Sequence, residues 1–379
     1  MAGVAGGGPE ATRAGGGAPG NGDAAGLLCV GFNQDFQCFA AGTASGFRVY
    51  NCDPFKETFR REFNNGGIGR VEMLFRCNIL ALVGGGETPK YPPNKVMIWD
   101  DHQGRCIGEL SFRSQVRTVR LRRDRIVVAL EHKVLVYNFA DLKLLHQIET
   151  LSNVKGLVAL SASSEATVLA CPGLHKGQVR VELYDVRRTK FISAHNSGLA
   201  QMTLSLDGKV LATASEKGTL IRIFSTADAS KLQEVRRGAD AASIYSLALS
   251  KDAAWLAASS DKGTVHIFAL GGGPAAARQQ QQRRQAMEQA PEKAAANASS
   301  ALSFIKGFLP QYFSSEWSFA QFRVQEEAMS VVGFGPQPHT ILVVTSTGGF
   351  YKCSFDPNAG GQCNQDWYCK FLELEEASS

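Results

Sequence analysis

Short runs of alternating apolar and other residues recur along the chain, and each closes on an aromatic side chain. Lys95-Val96-Met97-Ile98-Trp99-Asp100 is the clearest. Similar runs lie at 46–50, 133–137, 180–185, 220–224, 264–268 and 350–355. Alternation with period two marks a half-buried β-strand, because successive side chains leave a strand on opposite faces. The aromatic ends fall at 50, 99, 137, 184, 224, 268 and 355, with spacings of 49, 38, 47, 40, 44 and 87. The last gap is about twice the others, so it holds one ordinary repeat plus an insertion.

A second register agrees with the first. Asp35, Asp207 and Asp252 precede Gly46, Gly218 and Gly263 by the same 11 residues. Each span holds a turn, an apolar strand and a second turn. Asp can bond its own backbone at the first turn, and Gly can take positive φ at the second. Ser215-Glu216-Lys217-Gly218-Thr219 and Ser260-Asp261-Lys262-Gly263-Thr264 are near-copies, 45 residues apart. Four strands repeating every ~40–45 residues predict a WD-repeat β-propeller. The fold class is therefore all-β, a seven-bladed β-propeller over 27–370 with a long insertion in blade six at 271–313.

Composition narrows the function class. With 379 residues and 44% hydrophobic content the chain can build a sizeable core, and blades bury their faces only against each other, which argues for one domain. Residues 1–26 are Gly/Ala-rich and read as a disordered tail without the basic start and apolar core of a signal peptide. Residues 371–379 read as an acidic tail. No apolar run is long enough to span a bilayer, so membrane contact is expected to be peripheral. The nine cysteines lack CxxC spacing, which fits reduced strand thiols of an intracellular protein better than zinc. Metal sites and cofactors are expected to be absent. There is no phosphate loop after Gly84-Gly85-Gly86, no Gly-x-Ser-x-Gly elbow and no nucleophile–base pair, and an enzyme is not expected. A basic stretch at Arg113, Arg117, Arg120, Arg122, Arg123 and Arg125 lacks interleaved aromatics and reads as a solvated blade edge rather than a nucleic-acid platform.

The insertion changes character midway. A Gln- and Ala-rich stretch runs to Ser303 and reads as low-complexity. Phe304, Ile305, Phe308, Leu309, Tyr312 and Phe313 then recur on one face of a helix. Two readings fit equally: an amphipathic element lying in a bilayer interface, or aromatics covering a blade edge. Trp317, Phe319 and Phe322 are expected to begin the blade's last strand.

Anion-binding chemistry gathers around Arg236-Arg237-Gly238. Adjacent strand residues face opposite ways, so a pair at the end of a blade would send one guanidinium towards each neighbouring blade. Guanidinium is planar, permanently charged and suited to bidentate phosphate binding. His195, Ser215, Lys217, Thr219 and Arg222 precede the pair in sequence. Ser259, Ser260, Lys262, Thr264 and His266 follow it. Each residue alone fits a solvated or structural role. Two matched sets around one Arg-Arg pair favour two phosphate pockets.

These residues resemble the PROPPINs, the WIPI-type autophagy propellers. The resemblance rests on Arg-Arg-Gly after blade five, flanked by Ser-x-Lys-Gly-Thr-Leu-Ile-Arg-Ile-Phe and Ser-x-Lys-Gly-Thr-Val-His-Ile-Phe. Phe32-Asn33-Gln34-Asp35, the run 78–86 and 95–101 also look like family segments. Val235 stands where the family usually has Phe or Leu. The resemblance implies binding of phosphatidylinositol 3-phosphate and phosphatidylinositol 3,5-bisphosphate, with Arg236 serving one pocket and Arg237 the other. It implies membrane insertion by Phe304, Ile305, Phe308 and Leu309. It implies recruitment of autophagy factors, including a rod-shaped lipid-transfer protein, with Asn33, Asp35, Asn94 and Lys95 as docking candidates. The implied location is cytoplasmic and peripheral on preautophagosomal, endosomal or vacuolar/lysosomal membranes. A propeller scaffold without lipid binding is the alternative.

Overall fold

Seven four-stranded antiparallel units follow one another along the chain in the computed structural model, which describes residues 26–64, 66–271 and 316–373. Most of the expected tails 1–26 and 371–379, most of the insertion, and Phe304, Ile305, Phe308 and Leu309 lie outside the described residues. Blades one to seven begin at the inner strands Leu27–Phe32, Ile68–Met73, Thr118–Arg122, Ala159–Leu160, Leu199–Leu204, Ile244–Leu249 and Ser330–Phe334. The aromatic-ended runs seen in the sequence are the third strand of every blade, and their apolar positions are buried between blades.

The turn chemistry follows the sequence. Asp35, Asp207 and Asp252 each accept a hydrogen bond from the backbone N–H two residues on, at 3.2, 3.1 and 3.1 Å. Gly218 and Gly263 take φ of 63° and 67°. A Cβ on Gly218 would lie 1.8 Å from the Ala242 carbonyl oxygen, so no other residue fits that turn.

Each blade takes its four antiparallel strands in sequence order, and no antiparallel strand is shared between blades seven and one, so the ring closes by packing between them. Phe39 stacks on Tyr50 and Phe350 with centroids 4.9 and 5.5 Å apart, and Phe371 meets both Phe39 and Tyr50 edge-on at 5.1 Å. Lys352 bridges to Asp53 at 2.7 Å across the same seam. Phe371, beyond the expected propeller end at 370, is thus a core residue at 2% exposure.

Blades five and six gain a fifth strand by parallel pairing. Glu316–Trp317 joins the outer edge of blade five, and Gly361–Gln362 joins that of blade six. Trp317 therefore does not begin blade six's last strand, as the sequence suggests. That strand is Ala320–Arg323, which carries Phe322.

Candidate functional site

Alternation on blade five sorts the candidate residues. Val235, Ala212, Ala214, Ile221 and Ile223 pack in the cluster between blades five and six. Their strand neighbours Arg236, Thr213, Ser215 and Arg222 consequently turn to the blade-four side. Arg237, just past the outer strand Lys231–Arg236, turns to the blade-six side. The two guanidiniums leave the chain on opposite faces.

On the blade-four side, Arg236 stands opposite Leu220 on one neighbour and Trp317 on the other. His195 is buried, with Nε2 3.0 Å from Thr213 Oγ1. Burial, reinforced by the Arg222 charge, pushes its pKa down to about 4. Arg222 is anchored: its Nε donates to Glu234 at 2.8 Å and its Nη1 to the Ala194 carbonyl at 2.6 Å. Arg222 thus holds the chain that carries His195. Ser215 is buried at the start of the turn 215–219, Thr219 is half-buried and Lys217 is exposed.

On the blade-six side, Arg237 is only 7% exposed. Its Nε donates to the Gly218 carbonyl at 2.8 Å and its Nη2 to that of Asp240. Ala258 and Phe268 pack towards blade five, so Ser260, Thr264 and His266 share that side. His266 Nδ1 lies 3.2 Å from Ser318 Oγ, and burial with the nearby Arg237 charge lowers its pKa to about 4. Lys262 is exposed.

Ser259 does not join this set. It alternates to the opposite face, is 1% exposed, and donates to the Ser330 carbonyl of blade seven at 2.7 Å. Arg323 and Ser318 do join it, and sequence reading missed both. Arg323 sits opposite Thr264, with Nη1 3.0 Å from the Lys262 carbonyl and 3.5 Å from Thr264 Oγ1. The available signal was alternation in Ala320-Gln321-Phe322-Arg323: Phe322 is in the core shared with blade seven.

The two turns are chemically matched. Each carries an acid that could repel phosphate, and each acid is already engaged. Glu216 accepts from the Gly198 N–H at 3.1 Å, and Asp261 accepts from the Ser243 N–H at 3.0 Å. Both tie down the incoming connection and leave the lysine at the tip.

The expected docking residues separate. Asn33 and Asp35 sit in the turn after a first strand, whereas Asn94 precedes a third strand and Lys95 opens it. Successive antiparallel hairpins turn at opposite ends, so these pairs lie on opposite faces of the ring and form no single patch. Asn33 is 2% exposed, donating to the Phe75 carbonyl and accepting from the Cys38 N–H. It holds the turn and presents nothing to a partner. Asn94 donates to the Phe112 carbonyl at 2.7 Å and Lys95 pairs with Glu109 at 2.6 Å. The basic stretch is likewise no uniform solvated edge: Arg122 is 6% exposed and bonded to Asp124 and the Ala166 carbonyl.

All nine cysteines are free thiols, and no group of metal ligands occurs among the described residues. No described helix is long and apolar enough to cross a membrane.

Comparison with known proteins gives a consistent picture. The PROPPIN family model matches residues 26–366. Autophagy-related protein 18e of Arabidopsis thaliana is 42% identical over 356 residues, covering 93% of this chain and 90% of that protein. SVP1-like protein 2 of Pichia angusta is 40% identical over 305 residues, covering 79% and 81%. Among solved structures, Kluyveromyces lactis Hsv2 with a complete loop 6CD superposes with a TM-score of 0.71 at 23% identity, covering 91% of this chain and 99% of that one. KlAtg21, solved in complex with the coiled-coil of AgAtg16, gives a TM-score of 0.72 at 24% identity with the same coverage.

Proposed function

Because the chain belongs to the PROPPIN family of autophagy β-propellers, we propose that it is a peripheral effector that binds phosphatidylinositol 3-phosphate and phosphatidylinositol 3,5-bisphosphate through two rim pockets. The observation that carries this reading is the opposed pair Arg236 and Arg237, each beside one copy of the Ser-x-Lys-Gly-Thr turn. Arg236 serves the blade-four side with Ser215, Lys217 and Thr219. Arg237 serves the blade-six side with Ser260, Lys262, Thr264 and, added by the geometry, Arg323. The buried His195 and His266 back the two pockets, and Arg222 positions the first.

Each headgroup alone binds weakly. Two pockets on one molecule raise the effective concentration of the second event, a gain of up to ~10²–10⁴. Apolar residues of the blade-six insertion, Phe304, Ile305, Phe308 and Leu309, add transfer energy on contact with the bilayer. Attachment then follows the marked lipid and reverses when that lipid is removed. Once attached on preautophagosomal, endosomal or vacuolar/lysosomal membranes, the propeller recruits autophagy factors, among them a lipid-transfer protein and a coiled-coil of the kind bound by KlAtg21.

Sedimentation with liposomes containing phosphatidylinositol 3-phosphate tests this reading. The intact chain is expected to pellet and an Arg236→Thr, Arg237→Thr variant to stay in solution with its fold unchanged. Equal pelleting of both would overturn the pocket assignment.

A further inference from the structure

The inner strands enclose a central channel of about 450 Å³, within the ~300–1,000 Å³ range of small-molecule sites. Gln34 reaches across it near one face. That side chain crosses from blade one, donating to the carbonyls of Met73 in blade two and Leu121 in blade three at 2.7 and 3.1 Å. The other end, where the inner strands begin, opens on the face that carries the turns 215–219 and 260–264.

The walls are strongly asymmetric in charge. Arg70, Arg117, Arg120 and Lys155 line the channel, against the single lining carboxylate of Glu72. Glu72 is already taken by Arg120 at 2.9 Å. Arg70 pairs with no acid among the described residues; it reaches across the seam to the Arg117 carbonyl at 3.1 Å and to that of Gly69 at 2.9 Å. Arg117 bonds Glu131 at 3.0 Å through Nη2, while its Nε is buried with no hydrogen-bond partner among the described residues. Lys155, on the connection from blade three to blade four, is exposed at the mouth. A buried donor without a partner is rare in folded proteins. Several cations in a confined, weakly screened channel focus a positive potential on its interior.

We propose that this channel binds a small, multiply phosphorylated anion, held by Arg70, Arg117 and Lys155 at the open end with Arg120 deeper in the wall. Guanidinium groups from two adjacent blades converge on one ligand there, which suits phosphate groups spread over a compact ring or chain. The site is separate from the rim pockets of blades five and six.

The test removes the rim pockets first. Inositol hexakisphosphate is titrated by calorimetry into the Arg236→Thr, Arg237→Thr chain, and then into the same chain carrying Arg70→Ala and Lys155→Ala. Both added positions are exposed, so neither change strands a buried acid, and Lys155→Glu alone serves as a second, charge-reversing probe. Saturable binding by the rim-deficient chain, weakened at least about tenfold by the added pair and by Lys155→Glu, is the expected result. Vesicles carrying phosphatidylinositol 3-phosphate are offered to the same rim-deficient chain to separate a free anion from a lipid headgroup. They are expected not to bind, and phosphoinositide-dependent binding there would replace the free anion by a tethered headgroup and overturn the proposal. No saturable titration, or one indifferent to Arg70 and Lys155, would also overturn it. Liposome binding by an otherwise intact Arg70→Ala, Lys155→Ala chain reports on the rim pockets alone, so failure of either site is read separately.

Discussion

Arg237 donates through Nε to the Gly218 carbonyl, 2.8 Å away. The glycine of one matched turn therefore fixes the direction of the arginine aimed at the other. Gly218 has positive φ and no room for a Cβ against Ala242. Gly218→Ala is expected to cost about 2 kcal/mol or more and to weaken lipid binding beyond the loss of stability. Chemical denaturation alongside liposome titration measures both.

The seam between blades seven and one closes the ring through Phe39, Tyr50, Phe350 and Phe371. Phe39→Ala is expected to cost about 3–5 kcal/mol. Phe371→Ala is expected to fall in the same range, although the residue lies only a few positions from the end of the described chain. Urea midpoints of the two variants check this.

Glu326 ties the connection into blade seven to that blade's outer strands. Burial works to raise its pKa, but hydrogen bonds from Thr347, Lys370, Thr345 and Tyr368 outweigh burial and hold it at about 2. The unfolded carboxyl titrates near 4.5. This depressed group contributes stability that is fully present above pH ~4.5 and is lost as pH falls towards 2. Glu326→Gln is expected to cost about 1–3 kcal/mol at neutral pH and to flatten the pH dependence of unfolding in that window.

His195 and His266 act in a higher window. Each is held near 4 when folded, chiefly by burial, against 6.5 unfolded. Between those values the unfolded chain takes up protons that the folded chain refuses. Stability therefore rises with pH from about 4 to 6.5 and is level above. Replacing both by Gln should reduce the slope of the melting temperature across pH 4–6.5.

Much of the fold was legible because its signals are local. Asp252 bonding two residues on, Gly218 at positive φ, and third strands closing on aromatics all depend on neighbouring residues. The opposed directions of Arg236 and Arg237 were legible for the same reason, since period-two alternation needs only the strand. What was lost depends on contacts far apart in sequence. Trp317 reads as blade six but pairs beside Arg236 in blade five. Ser259 and Ser260 read as equivalent hydroxyls until the Ser330 carbonyl claims the first. Arg323 is separated from Thr264 by the whole insertion. Asn33 looks like a polar surface residue, and only the carbonyl of Phe75 in the next blade reveals it as buried.

The central claim is that two pockets, not one, hold the membrane. Affinity for phosphatidylinositol 3-phosphate liposomes is measured for Arg236→Thr and Arg237→Thr separately, beside the double variant. Two pockets predict that each single change weakens binding by about tenfold or more and that the double change removes it. One single change abolishing binding while the other leaves it intact would contradict the account.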